Sequence, residues 1–356
     1  MNAYAERDIA VARNAVQTLT AMASKLEPDE LEACVVPVRQ AVLTVGVEGH
    51  ELPGFSQPGG LNAVLTIYLA GLKRQSAEEA AHGIAEMVLR TNLNSLKPVT
   101  VQMIGALIRS IGERHPAAGK TAILHALATL LVKAPLFAKP FIPQLQRTAV
   151  KNLSDPASAE VRNQAAVVLG SLIPMQPRVD PLITELVGVT NSAEDDGVKF
   201  AVLKALCEVL SKAGKLVGEA QKTAISSLVE QILEDGRGIT HLLFCSHVGN
   251  VLAIGVRLMS LLMKVQPADW VRTFIQSTLL DGGISKNSVA ALNALVLDPP
   301  TSLLDTEMVQ EIISSGIKAA QDTDVVPIYI ALTSGCYFRI RDPSSWEDID
   351  EFCNHR

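Results

Sequence analysis

Apolar residues recur in this chain at helical spacing, in segments separated by short breaks rich in Pro, Gly, Asn or Asp. Residues 61–73 place Leu61, Val64, Leu65, Leu69 and Leu72 on one stripe, and residues 78–90 do the same with Ala81, Ile84, Ala85, Val88 and Leu89. The breaks are themselves regularly spaced. Pro143 and Pro181 each open a helical segment, 38 residues apart, and Asp155 and Asp195 each precede the segment that follows, 40 apart. Val161-Arg162 and Val198-Lys199 lie 37 apart, followed by the apolar pairs Leu169/Leu206 and Leu172/Val209. A hairpin of two amphipathic helices leaves one hydrophobic face bare, and stacking the next hairpin on it buries that face.

A period near 40 with two helices per unit is the pattern of HEAT repeats. The sequence therefore predicts an all-α fold: a HEAT-repeat α-solenoid of stacked antiparallel helix hairpins, roughly eight of them, in one array over residues 1–356. The 356 residues are 48% hydrophobic but only 4% aromatic, with Ala, Leu and Val carrying the apolar load, which suits helix-on-helix packing better than a β-sandwich. The periodicity places helices at about 6–24, 29–45, 61–73, 77–91, 98–114, 118–133, 139–153, 158–173, 179–190, 196–213, 219–234, 239–264, 268–280, 284–296, 303–321 and 324–339. Residues 46–60 read as a long Gly/Pro-rich connector and 340–356 as a charged tail. Neither end reads as a polar cap, which suggests a piece of a longer protein.

No run approaches the roughly 18 apolar residues of a membrane span, and the charged N-terminus has no continuous apolar core of a secretory signal. No membrane partner is expected. Cys34, Cys207, Cys245, Cys336 and Cys353 are widely spaced, contain no Cys-x-x-Cys, and read as reduced thiols in a cytosolic or nuclear protein.

Catalytic and ligand motifs fail on inspection. Gly119-Lys120-Thr121 resembles the end of a phosphate loop, but position 114, where the first glycine belongs, is Arg, and the segment follows a helix where a strand is required. It reads as a hairpin turn, with Pro116 stopping one helix and the next starting near Lys120. His241, Cys245 and His247 are the one metal-like group, yet His247 sits about 120° from His241 on an ideal helix, so the three cannot converge. No Gly-x-Ser-x-Gly elbow or His-Glu-x-x-His helix is present. The expectation is no enzyme, no metal, no cofactor and no small-molecule substrate.

Charge is distributed unevenly. Residues 73–151 carry eleven basic side chains against four acidic ones, a local balance of +7 in a chain of net charge −6. Such a belt suggests an anionic partner, either a protein or a phosphate backbone, unless its members simply point into solvent in many directions. Within it, the helix expected at 98–114 clusters Ile104, Leu107, Ile108 and Ile111 on one side, while Arg109 projects about 140° from Ile104. Gly105, Arg109 and Gly112 form a single stripe, and a glycine inside a helix costs about 1 kcal/mol relative to alanine. Two readings account for them. The glycines form a notch where a partner backbone approaches while the guanidinium grips a carboxylate. Or they admit a neighbouring helix, and Arg109 pairs with Glu113 one turn on.

The segment FIPQLQRTAVKNLSDPASAEVRNQAAVVLGSLIPMQPRVDPLITELV (141–187) closely resembles the large HEAT-repeat translational activator family of the general amino-acid control pathway. PGFSQPGG (53–60), LKPVTVQMIGALIRSIGER (96–114) and DDGVKFAVLKALCEVLSKAG (195–214) follow the same family in the same order, so the likeness spans about residues 6–235. It points to the C-terminal part of that family's much longer chains. The resemblance implies a cytoplasmic, non-enzymatic scaffold that binds the RWD domain of the kinase phosphorylating initiation factor 2 alpha. It also implies ribosome association of the full-length protein during amino-acid starvation. The family's kinase-contacting arginine lies in a Gly-Pro-Leu-Ile-Arg-x-x-Gly-Glu-Arg pattern, which here reads Gly105-Ala106-Leu107-Ile108-Arg109-Ser110-Ile111-Gly112-Glu113-Arg114. The role therefore falls on Arg109, and Ala106 in place of the family's proline should straighten the helix. Lys97, Arg114, Lys139 and Arg147 join Arg109, Gly105 and Gly112 as candidate partner contacts, argued from the basic belt alone. Past residue 235 the sequence departs from the family pattern and nothing is carried over.

The competing reading is a ribosome- or RNA-binding module using the 73–151 belt. It predicts affinity that falls steeply with salt, and the scarcity of aromatics there (Phe137 and Phe141) speaks against base stacking. A nuclear-transport receptor shares the architecture, but the 141–187 likeness argues against it.

Overall fold

The structure, a computed structural model, describes residues 1–46, 50–112, 114–176, 178–235 and 247–280. It is all-helical over these residues and divides into two units, Met1–Pro177 and Arg178–Arg356.

The first unit opens with α1 (Asn2–Ala5), α2 (Ile9–Ala23), α3 (Pro28–Ala33) and α4 (Val35–Val45). Asp8 caps α2 by accepting the Ala10 amide at 2.8 Å, as an N-cap carboxylate should. The helix expected over 29–45 is in fact two. Pro37 has no N–H to give the Ala33 carbonyl, so the chain breaks at Cys34 and restarts.

Three hairpins follow: α5 (Asn62–Gly71) with α6 (Ala77–Leu89), α7 (Leu93–Ile111) with α8 (Ala117–Lys133), and α10 (Ile142–Leu153) with α11 (Ala159–Leu172), the short α9 (Pro135–Ala138) lying between the last two. The second helix of each hairpin packs most extensively on the second helix of the next, α6 on α8 and α8 on α11. Ile84, Val88, Ile123, Leu127, Leu130, Ala165 and Leu169 are closed to solvent along this ladder. Burying a side chain of Leu, Ile or Val size contributes about 1.5–3 kcal/mol, so the ladder is the main cohesive seam of the unit.

The second unit holds α12 (Asp180–Ser192) with α13 (Asp196–Ala213), α14 (Glu219–Asp235) with α15 (His247–Met263), and α16 (Ala268–Phe274), which runs on as a π-helical turn over Ile275–Leu280 rather than as one regular helix over 268–280. Here α13 packs on α15, the same pairing of second helices.

The caps refine the repeat. Pro143 and Pro181 are each the second residue of their helices, as the 38-residue spacing expected. Ser158 and Asp195 are the N-caps, accepting the amides of Val161 (3.3 Å) and Val198 (2.8 Å). Asp155 stands three residues ahead of its cap, so Asp155 and Asp195 are not equivalent positions.

The described part of the expected connector, residues 50–60, is not open. Leu52 and Phe55 are buried, a 3-10 turn spans Pro53–Ser56, and the Phe55 ring meets Tyr4 edge-on at 5.8 Å. A Cβ on Gly54 would lie 2.4 Å from the Tyr4 ring, and Gly59 has φ +71°, so both positions require glycine. Hydrophobic collapse of two large side chains draws the loop onto α1 and α2.

Among the described residues no single helix is long and apolar enough to cross a membrane. The helices expected at 284–296, 303–321 and 324–339, the tail 340–356, and His241 and Cys245 lie outside the described residues, as does the side chain of His247.

Candidate functional site: an exposed face of α7

α7 begins five residues earlier than expected. Asn92 caps it, its Oδ1 accepting the Ser95 amide at 2.9 Å, and Leu96 is fully buried one turn in. Pro98 is thereby carried into the helix interior, with its ring exposed. The cap and the buried Leu96 outweigh the backbone hydrogen bond that proline removes.

The buried side of α7 carries Leu96, Met103, Ile104, Leu107 and Ile111, and Ser110 fastens it to the preceding hairpin by donating to the Leu72 carbonyl at 2.7 Å. The opposite side carries Lys97, Pro98, Val101, Gln102, Gly105, Ala106 and Arg109, all exposed or half-buried. α7 contains no carboxylate.

Arg109 is exposed, and its side chain folds back along the helix, as helical Cα–Cβ bonds tilt toward the N-terminus. Its Nη1 comes to 3.4 Å from where a Cβ on Gly105 would stand. Among the described residues no other element approaches within 4 Å of a Cβ built at Gly105 or Gly112. Among the described residues no helix is admitted by these glycines, and what Gly105 admits is the guanidinium itself. Gly112 needs a second correction. It is not inside the helix but just past Ile111, its N–H donating to the Arg109 carbonyl at 3.1 Å. Among the described residues no carboxylate pairs with Arg109, and Glu113 lies outside them.

The other candidates are scattered around this face. Arg114 is exposed in the turn after α7. Lys97 is exposed, with its ammonium 6.0 Å from the Phe137 ring centroid, the outer limit of a cation–π contact. Lys139 and Arg147 are exposed on separate elements, a 3-10 turn over Lys139–Phe141 and α10.

Three members of the expected basic belt are committed elsewhere. Arg74 pairs with Asp29 and Glu32 on α3. Arg90 is buried behind α6, its backbone carbonyl accepting the Leu52 amide at 3.0 Å. Lys120 donates to Asp155 at 2.8 Å. Burial alone would raise the Asp155 carboxyl, but the Lys120 ammonium and the amides of Ala157 and Ser158 outweigh it and hold it below its usual range. Gly119-Lys120-Thr121 is thus the first turn of α8, starting at Ala117, with its lysine turned to a carboxylate and not to a phosphate cradle.

Sequence reading missed two features. Val101 is 56% exposed one turn before Gly105, and its place among polar neighbours at i+4 spacing was the available signal. Residues 55–62 and the start of α7 also border a half-open pocket of about 260 Å³, which no local pattern announces.

Helix hairpins stacked through their second helices define a HEAT-repeat solenoid, the class to which this chain belongs. A crystal structure of importin beta shares the fold with a TM-score of 0.54, covering 99% of this chain and 50% of that one at 14% identity. The family sequence profile described as "Stalled ribosome sensor GCN1-like, HEAT repeats" matches residues 1–59. The chain is 38% identical over 90% of its length to the eIF-2-alpha kinase activator GCN1 of Saccharomyces cerevisiae, of which it covers 12%. It is 31% identical over 78% of its length to Protein ILITYHIA of Arabidopsis thaliana, and 32% identical over 71% to the Stalled ribosome sensor GCN1 of Homo sapiens, covering 10% of each. The chain belongs to the GCN1-like HEAT-repeat family and spans about a tenth of the length of the curated relatives it matches.

Proposed function

We propose that this chain is a non-enzymatic scaffold that binds the RWD domain of the initiation factor 2 alpha kinase through the exposed face of α7. On this reading the protein to which it belongs works on ribosomes in the cytoplasm and supports activation of the kinase during amino-acid starvation. Residues 1–356 would continue as one array of roughly eight hairpins, since the 37–38-residue spacing of equivalent caps and prolines runs from α10 and α11 into α12 and α13. The names of the relatives, a kinase activator and a stalled-ribosome sensor, support the broad role.

The observation that carries the specific role is Arg109: an exposed guanidinium laid over Gly105, on a helix face devoid of carboxylates. Arginine presents two parallel N–H donors that match a carboxylate, and Gly105 leaves the approach unobstructed. Truncating one partner of a buried charge pair costs about 2–5 kcal/mol, and each 1.4 kcal/mol is about tenfold in affinity. Titrating purified RWD domain against wild type and Arg109→Ala should show at least a tenfold loss. Equal affinities would remove Arg109 from the interface.

A further inference from the structure

Arg109 projects from the last turn of α7, and the carbonyls of a last turn have no donors within their own helix. Many helices close such an end with a glycine in the left-handed region. Gly112 does not: its φ is −76°, ordinary helical backbone. Two side chains hold the turn instead. Ser110, only 2% exposed, donates to the Leu72 carbonyl at 2.7 Å, just past the end of α5. His115, half-buried in the turn before α8, brings its Nε2 to 3.0 Å from the same Ser110 Oγ.

The direction of these bonds follows from proton counting. A hydroxyl has one proton to give and lone pairs to accept with, whereas a carbonyl only accepts. The Ser110 proton is spent on Leu72, so Ser110 must accept from His115, and Nε2 is the nitrogen that carries the ring proton. The chain of donors therefore runs from His115 through Ser110 to Leu72, from the α7–α8 turn through the end of α7 to the preceding hairpin. Hydrogen bonds linked in series strengthen one another.

Ser110 adjoins Arg109, so fixing the first on the buried side fixes the backbone from which the second projects on the exposed side. Among the described residues no ion pair aims the guanidinium, which lies over Gly105. Its aim is set by the helix end, and a fixed base lowers the ordering cost of docking. We infer that His115 is a positioning residue for the α7 docking face: it donates to Ser110 and so holds the turn that presents Arg109 to a partner's carboxylate. This rests on the proposed function and adds a residue that acts without touching the partner.

The test measures binding of the purified RWD domain to the intact chain, to Arg109→Ala, His115→Ala and His115→Gln, and to the double variant, at a temperature where each is fully folded by circular dichroism. His115→Ala should bind about fivefold more weakly, the worth of one hydrogen bond. His115→Gln, which keeps an N–H donor near the position of Nε2, should recover most of the loss. In a chain already carrying Arg109→Ala, His115→Ala should cost nothing further, because its effect runs through Arg109. Wild-type affinity in His115→Ala, with binding still lost in Arg109→Ala, overturns the positioning role and leaves the proposed function standing. So does an equal loss in His115→Gln, or a full further loss in the double variant. No binding by the wild-type chain overturns both. Should His115→Ala fail to fold, His115→Met, of similar length but without a donor, takes its place against His115→Gln: equal affinities of the two overturn the role, and weaker binding by His115→Met supports it.

Discussion

Asp155 shows how a single side chain is read wrongly from spacing and rightly from geometry. Its distance from Asp195 suggested a repeat position, yet it accepts Lys120 Nζ at 2.8 Å and the amides of Ala157 and Ser158 at 3.0 and 3.1 Å, tying α8 to the entry of α11. Replacing it with Ala strands one ammonium and two amides at a site where the carboxylate is only 7% exposed. The expected loss is about 2–4 kcal/mol at neutral pH, read as a lower urea midpoint. Its folded-state carboxyl lies below the unfolded value near 3.9. The contribution is therefore fully present above that value and fades as the pH falls through the folded-state range. The gap between wild type and Asp155→Ala should accordingly shrink below about pH 4; a gap that stayed constant down to pH 2 would mean the charge is irrelevant.

At the level of an element, α7 carries a deliberate weakness. Gly105 sits inside the helix, where Ala would be better by up to about 1 kcal/mol. A Cβ there would touch Arg109 Nη1 at 3.4 Å, an ordinary contact with the end of a flexible side chain. Gly105→Ala should thus raise the melting temperature slightly, while crowding the guanidinium and the approach of a partner backbone. The variant that is more stable should be the poorer binder of the RWD domain. If it binds as well as wild type, Gly105 seats nothing of functional weight.

For the whole molecule, the question is whether the basic belt is a nucleic-acid surface. Arg74, Arg90 and Lys120 are occupied within the fold. Exposed cations remain at Lys73, Lys97, Arg109, Arg114, Lys139, Arg147 and Lys151, on several elements. Even if all seven met phosphates, affinity would drop by roughly 10³ between 50 and 200 mM salt. Filter binding of single-stranded homopolymer RNA should show that decline and leave little binding at 200 mM, where the RWD domain still binds. Tight RNA binding at 200 mM salt would favour the nucleic-acid reading instead.

The sequence by itself determined the class of fold, because amphipathic period and break spacing are local signals that a stacked hairpin must satisfy wherever it sits. Pro143, Pro181, Val161 and Val198 were correctly placed on that ground, whereas the angle of Arg109 to Ile104 left open whether a neighbouring helix covers it. Tertiary structure alone decided which charges are free and which are spent, since Lys120 meets Asp155 across 35 positions and Arg74 meets Asp29 across 45. It also decided that residues 52–60 are packed, that Pro98 lies within a helix, and that a pocket opens between the two. Such features depend on residues brought together from separate hairpins, and the energy that holds them is burial and pairing between segments, which no window along the chain contains.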